Sequence, residues 1–141
     1  MPISDYLADA IINDTWRDTA FTPPGTVYIG LASGDMGRVY NSGLELPATG
    51  GYARVAITKG NARWSAPATV GGKRETSNSL IVDFGTASAG WNAGAAIAYW
   101  FMIDTISGAG NLLGSGAIAV PKVVGLGDPV SFPIGTLRLR F

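Results

Sequence analysis

The sequence predicts a mainly β protein: one antiparallel β-sandwich, jelly-roll-like, with a short N-terminal helix. Three observations predict it. Apolar residues recur at every second position in several short runs. Twenty glycines and eight prolines punctuate those runs without a period, as tight turns between strands require. The chain is 47% hydrophobic and only 14% charged, so it has apolar surface to bury and does not read as disordered. At 141 residues it is long enough for one core and short for two. The expected organisation is one sandwich domain over 1–141, with 1–20 as helix and arm.

The helix is expected from about Asp5 to Trp16. Ser4 reads as its N-cap and Asp5 as a first-turn carboxylate favoured by the helix dipole. Leu7, Ala10 and Ile11 keep helical spacing, and Thr22-Pro23-Pro24-Gly25 ends anything helical. The period then becomes two. In TVYIGLA, Val27, Ile29 and Leu31 alternate with Tyr28 and Gly30. The polar, Gly-rich segment SGDMGRVYNSGLELPATGG reads as a long loop. In YARVAIT, Ala53, Val55 and Ile57 take one face and Arg54 the other. Lys59 to Thr76 reads as irregular. SLIVDF puts Leu80, Val82 and Phe84 inward and Ile81 and Asp83 outward. AIAYWFMI is apolar on both faces, as a central strand covered on both sides would be. SGAGN is its turn and NLLGSGAIAV the returning strand, which makes a hairpin at the centre of a sheet. VSFPI is a further short strand that Pro133 confines to an edge or bulge. TLRLRF closes the set, with Leu137, Leu139 and Phe141 inward and Arg138 and Arg140 outward. The total is about seven strands.

The residues missing from the chain exclude whole chemistries. There is no cysteine and no histidine, which removes disulfides, thiolate nucleophiles, His-based triads and nearly every zinc site. No run of Asp and Asn has calcium-loop spacing. GAGNLLGSG matches neither dinucleotide- nor phosphate-binding patterns and reads as turn chemistry. Asp83 and Asp104 are the carboxylates nearest strands, where a glycosidase-like pair competes with turn roles. The turn roles fit better, because Asp83 alternates outward and Asp104 sits where the hairpin leaves the core, able to bond turn amides. No catalytic residue and no cofactor is therefore expected.

Acidic and basic residues number ten each, without a basic stripe, so nucleic acid is not an expected partner. No apolar run approaches the roughly 18 residues of a membrane helix. The acidic N-terminal stretch does not resemble a secretory signal. Few charges and no net charge favour a chain that associates with other protein. Trp100 is expected in the core. Trp64 and Trp91 lie in loop-like segments, where they either cap the core or offer stacking platforms for a sugar or a partner. Arg138 and Arg140, with Arg54 on an earlier strand, make either a stripe that pairs with a partner's carboxylates or an ordinary solvated face.

Five blocks carry a resemblance: SDYLADAIINDTWRDTAFTPPGTVYIGLASG, GGYARVAI, NSLIVDFGTASAGW, YWFMIDTISGAGNLLGSGAI and GDPVSFPIGTLRL. In this order they resemble a family of small tailed-bacteriophage virion proteins, over most of the chain except the loops around Asp35–Leu46 and Ala62–Glu75. The family's members are described as tail-fibre-like or as capsid cement (decoration) proteins. The resemblance implies a non-enzymatic structural protein of the virion, made in the bacterial host cytoplasm. A fibre shaft is usually built from repeats or coiled coil, and this chain has neither, so cement on the capsid surface is the expected role and a tail or tail-fibre component contributing to host adsorption, with glycan binding as an option, the alternative. The expected partners are the major capsid protein of the same phage and further copies of itself, as dimer or trimer. The expected contact residues are Asp5, Tyr6 and Trp16 on the helix; Met36, Arg38, Tyr40 and Leu44 in the first long loop; Trp64 and Lys73 in the second; and Arg138 and Arg140 on the last strand.

Overall fold

The computed structural model describes residues 3–141. Helix α1 spans Asp5–Trp16, the bounds expected from its capping residue. The Ser4 hydroxyl oxygen accepts the Leu7 N–H at 3.2 Å, satisfying one of the orphan donors of the first turn. None of the helix residues is buried, so α1 lies on the body of the protein and contributes little to its core.

Nine strands follow among the described residues. They are β1 (Thr26–Ala32), β2 (Val55–Thr58), β3 (Ala68–Val70), β4 (Lys73–Ser77), β5 (Val82–Thr86), β6 (Ile97–Ile103), β7 (Leu112–Lys122), β8 (Pro129–Phe132) and β9 (Arg138–Arg140). All pair antiparallel, in sheets ordered β2-β1-β6-β7, β3-β4-β9 and β5-β8. The protein is thus mainly β with one short helix, as expected.

The β1–β6 register explains the layers. Leu31 lies opposite Trp100 and Ile29 opposite Met102, so these four share a face. That face meets Val82 and Phe84 of β5, Val130 and Phe132 of β8, Leu139 of β9 and Leu137 just before it in the main core. Tyr52, Phe84, Trp91 and Phe132 run through it as a chain of ring contacts with centroids 5.4–6.5 Å apart. The other face carries Ala32, Phe101, Ile103 and Leu112. It is covered by the loop after β1, which lays Met36 into it and leans Tyr40 and Leu44 against it. The double-sided apolar character of AIAYWFMI therefore has a cause: the four-stranded sheet is a middle layer. Gly30 is needed there, because a Cβ would overlap the Phe101 ring stacked on it.

Several expectations are corrected. Lys59 to Thr76 is not irregular throughout: β3 and β4 form a hairpin across Gly71-Gly72, whose φ angles of 57° and 76° suit a two-residue turn. Arg54 is not on an outward face. Its side chain is buried, and β2 begins only after it, at Val55. Leu80 points to solvent, because β5 begins at Val82 and Leu80 precedes its alternation. Phe141 is also exposed, although its backbone still pairs with Arg74 of β4. Asp104 has the turn role expected of it: its two carboxylate oxygens accept the backbone N–H and side-chain N–H of Asn111, each at 2.8 Å, closing the β6–β7 turn. Asp83 similarly accepts the Gly85 N–H at the bulge of β5.

Candidate interaction surface

The most elaborate polar cluster holds loops together. Arg54 donates from Nε to Glu45 Oε1 at 2.8 Å and from Nη2 to Glu45 Oε2 at 2.6 Å. Its remaining donors reach the Thr105 carbonyl and the Gly108 carbonyl, both at 2.8 Å. The guanidinium also lies 5.4 Å from the Tyr40 ring centroid and 5.5 Å from that of Phe101. Tyr40 and Tyr52 each donate a hydroxyl hydrogen bond to Glu45. One arginine thus ties the first long loop to the β6–β7 turn. Burial opposes the charged form of Glu45, but hydrogen bonds from Arg54 and Tyr40 outweigh it and hold the carboxyl below its ordinary value. Burial pushes the Tyr52 hydroxyl up. Every strong donor and acceptor here already has a protein partner, so the cluster is built to brace the fold.

The expected contact residues separate into groups. Met36 is not available for contact: it lies in the second core, where its sulfur accepts the Asn41 N–H at 3.1 Å. Tyr40 and Leu44 are half-buried in the same loop. Asp5 and Arg38 form an exposed ion pair, which with the Asp5 N–H donated to the Arg38 carbonyl fastens the start of α1 to that loop. Tyr6 sits edge-on to Phe21 with centroids 6.1 Å apart. Trp16 stands free at 73% exposure. Of the two loop tryptophans, Trp91 is core, its indole N–H donated to the Gly50 carbonyl at 2.8 Å. This removes Trp91 as a stacking platform. Trp64 is half-buried and borders a shallow hollow with Lys59, Asn61 and Pro67.

The structure brings Lys73, Arg138 and Arg140 together. Arg140 pairs with Glu75 and Arg138 with Ser77, and Lys73 lies two residues before Glu75. All therefore emerge on one face of the β3-β4-β9 sheet, with Ala68 and Val70 of β3 beside them. Leu139 takes the opposite face and enters the core. Glu75 moderates this basic face through its ion pair with Arg140.

A second exposed feature is missed by pattern reading. Val120, Val123 and Leu126, where β7 runs on toward β8, and Ile134, just after β8, are each more than 60% exposed. A groove of about 230 Å³ at Val120 is lined also by Ile118, Lys122, Phe132 and Pro133. The signal is present in AVPKVVGLG, an apolar run whose strand period Pro and Gly interrupt.

Arginines, carboxylates and tyrosines spent on bracing, an open basic face, an exposed helix and an apolar patch define a protein with surfaces to offer to other proteins. The comparison with known families agrees in kind. A family described as Podophage GP4 fiber I protein gp80 matches over residues 2–140, and the chain belongs to that family. It is a structural protein of the tailed-phage virion. Among curated proteins, none matches.

Proposed function

We propose that the protein is a subunit of a phage tail fibre, works by contact alone, and catalyses no reaction. The family match over nearly the whole chain carries this reading. It favours the tail alternative over capsid cement, the role expected from the missing shaft. A small β domain can serve a fibre as a joint or terminal piece, with many copies adding their weak contacts through avidity. The braced loops support a contact role, because a rigid surface loses less entropy on docking. The polar groups support the absence of catalysis: Asp83, Asp104 and Glu45 are each engaged in turns or ion pairs.

Cement retains one supporting observation. No described element is an extended shaft, α1 having 12 residues and the longest strand 11. In that reading the major capsid protein is the partner. Labelled antibody seen by electron microscopy, with quantitative mass spectrometry of purified particles, distinguishes the two. Label at the tail and a copy number matching its fibres support the proposal. Label spread over the head, with copies matching the shell lattice, overturns it in favour of cement. If contact is the whole function, Val120→Asp with Leu126→Asp leaves folding within about 0.5 kcal/mol of wild type, as exposed substitutions do. The same pair lowers incorporation into particles.

A further inference from the structure

We propose that α1 of one copy docks on the basic face of the β3-β4-β9 sheet of a second copy. The contact deepens the fibre reading, on which it rests for its place in the virion.

The charges of this neutral chain are unevenly distributed. Residues 3–20 hold four aspartates and one arginine, whereas 59–77 with Arg138 and Arg140 hold six cations and one carboxylate. Asp5, Asp9, Ile12 and Trp16 follow one another at four-, three- and four-residue steps, so they form one stripe along α1. All four are exposed. The stripe is acidic at its N-terminal half and apolar at its C-terminal half. The sheet face has the complementary pair of features: Lys73, Arg138 and Arg140, and beside them Ala68 and Val70.

The complementarity is not used within one chain. Among the described residues the ion pairs are Asp5–Arg38, Glu45–Arg54 and Glu75–Arg140, so none joins α1 to this sheet. Asp9 has no side-chain partner among them. A 12-residue helix with no buried residue is also short of what holds a helix in water on its own. Packing the outward stripe supplies what the inner side lacks. The stripe is about 16 Å long at ~1.5 Å per residue, and three strands span about 10 Å between outer axes, so the helix covers the small sheet. Trp16 then meets the apolar edge of that sheet or stacks on an arginine. The two surfaces are unlike, so the contact builds rings or filaments, unless a two-fold axis makes it reciprocal. One helix on one small sheet is less than a standard interface, so each contact is weak and assembly depends on concentration.

The test is sedimentation velocity of the purified full chain over a range of concentration, at low and high salt. Wild type should associate, and less so in high salt, because exposed charges are screened. Asp9→Lys with Trp16→Ala, and separately Lys73→Glu with Arg138→Glu, should each weaken association about tenfold or more. Circular dichroism checks that both remain folded. An equimolar mixture of the helix double variant and the sheet double variant should recover association that neither shows alone, through the intact sheet of the one and the intact helix of the other, which only folded partners can do. Wild type that stays monomeric at low salt overturns the proposal. So does association unchanged by either double variant, or loss confined to the sheet variant, which would assign that face to a different acidic region of the second copy. Location in the virion is read separately, so failure here and failure of the fibre reading are distinct results.

Discussion

Arg54 grips Glu45 through two parallel hydrogen bonds, Nε to Oε1 at 2.8 Å and Nη2 to Oε2 at 2.6 Å, beneath the Tyr40 ring. The pair joins the loop that covers the middle sheet to the turn of its central hairpin. Removing one member leaves a buried charge alone, which costs about 3–5 kcal/mol. Arg54→Ala and Glu45→Gln should each lower the unfolding free energy by an amount of that order, read as a lower urea midpoint at unchanged slope. Replacing both, as Arg54→Met with Glu45→Leu, should recover much of the loss.

The same pair makes stability depend on acid. Glu45 titrates below its ordinary value in the folded chain. Its contribution is full above the unfolded value of about 4.3 and is lost as pH falls through the lower, folded one. Urea midpoints of wild type and Glu45→Gln should therefore draw together in that acid window. Tyr52 acts at the other end. Its hydroxyl is pushed up by burial, so its contribution is full below about 10 and is lost as pH rises toward the folded value. Tyr52→Phe should reduce the alkaline loss.

Gly116 is required by Trp100. A Cβ there would come 2.8 Å from the indole nitrogen and 3.2 Å from the Arg138 carbonyl oxygen. The indole is fully buried, and its N–H has no partner among the described residues. Gly116→Ala should cost about 1–3 kcal/mol through overpacking. Gly25→Ala faces open space and should be neutral or slightly stabilising, because alanine narrows the unfolded ensemble. Thermal unfolding of both variants compares the two.

The two loop tryptophans should behave oppositely. Trp91→Ala removes a core ring that touches Tyr52 and Phe84, and should cost about 3–5 kcal/mol. Trp64→Ala, at a half-buried site, should cost less and leave a folded chain. If Trp64 stacks on a receptor sugar, that folded variant should lose binding to the host surface. Unchanged binding would remove the glycan reading.

Much of the architecture is visible in the chain before folding. Ser4 and Asp5 place the start of α1, and its end agrees with the structure as well. Val27, Ile29 and Leu31 announce β1, and the unbroken AIAYWFMI announces a strand with two covered faces. These signals are local: a cap and a side-chain period act between near neighbours, so they can be read without knowing the fold. The β3–β4 hairpin had such a signal in Gly71-Gly72, but its strands are only three and five residues long and mostly exposed, so no apolar period marked them.

Tertiary pairing decided the rest. Arg54 alternates outward on paper, yet Glu45, nine residues earlier, and the Thr105 and Gly108 carbonyls, more than fifty residues later, turn it inward. Met36 reads as a loop tip and becomes core, because the bare second face of the sheet needs a cover. Lys73 and Arg138 come to share one sheet face only through strand register. By itself the sequence determined the class of fold, the reach of the helix and the absence of His and Cys chemistry, since each depends on residue type and short-range spacing. Which charges are buried and which share a surface was decided by the folded chain alone, because those contacts join residues far apart in sequence.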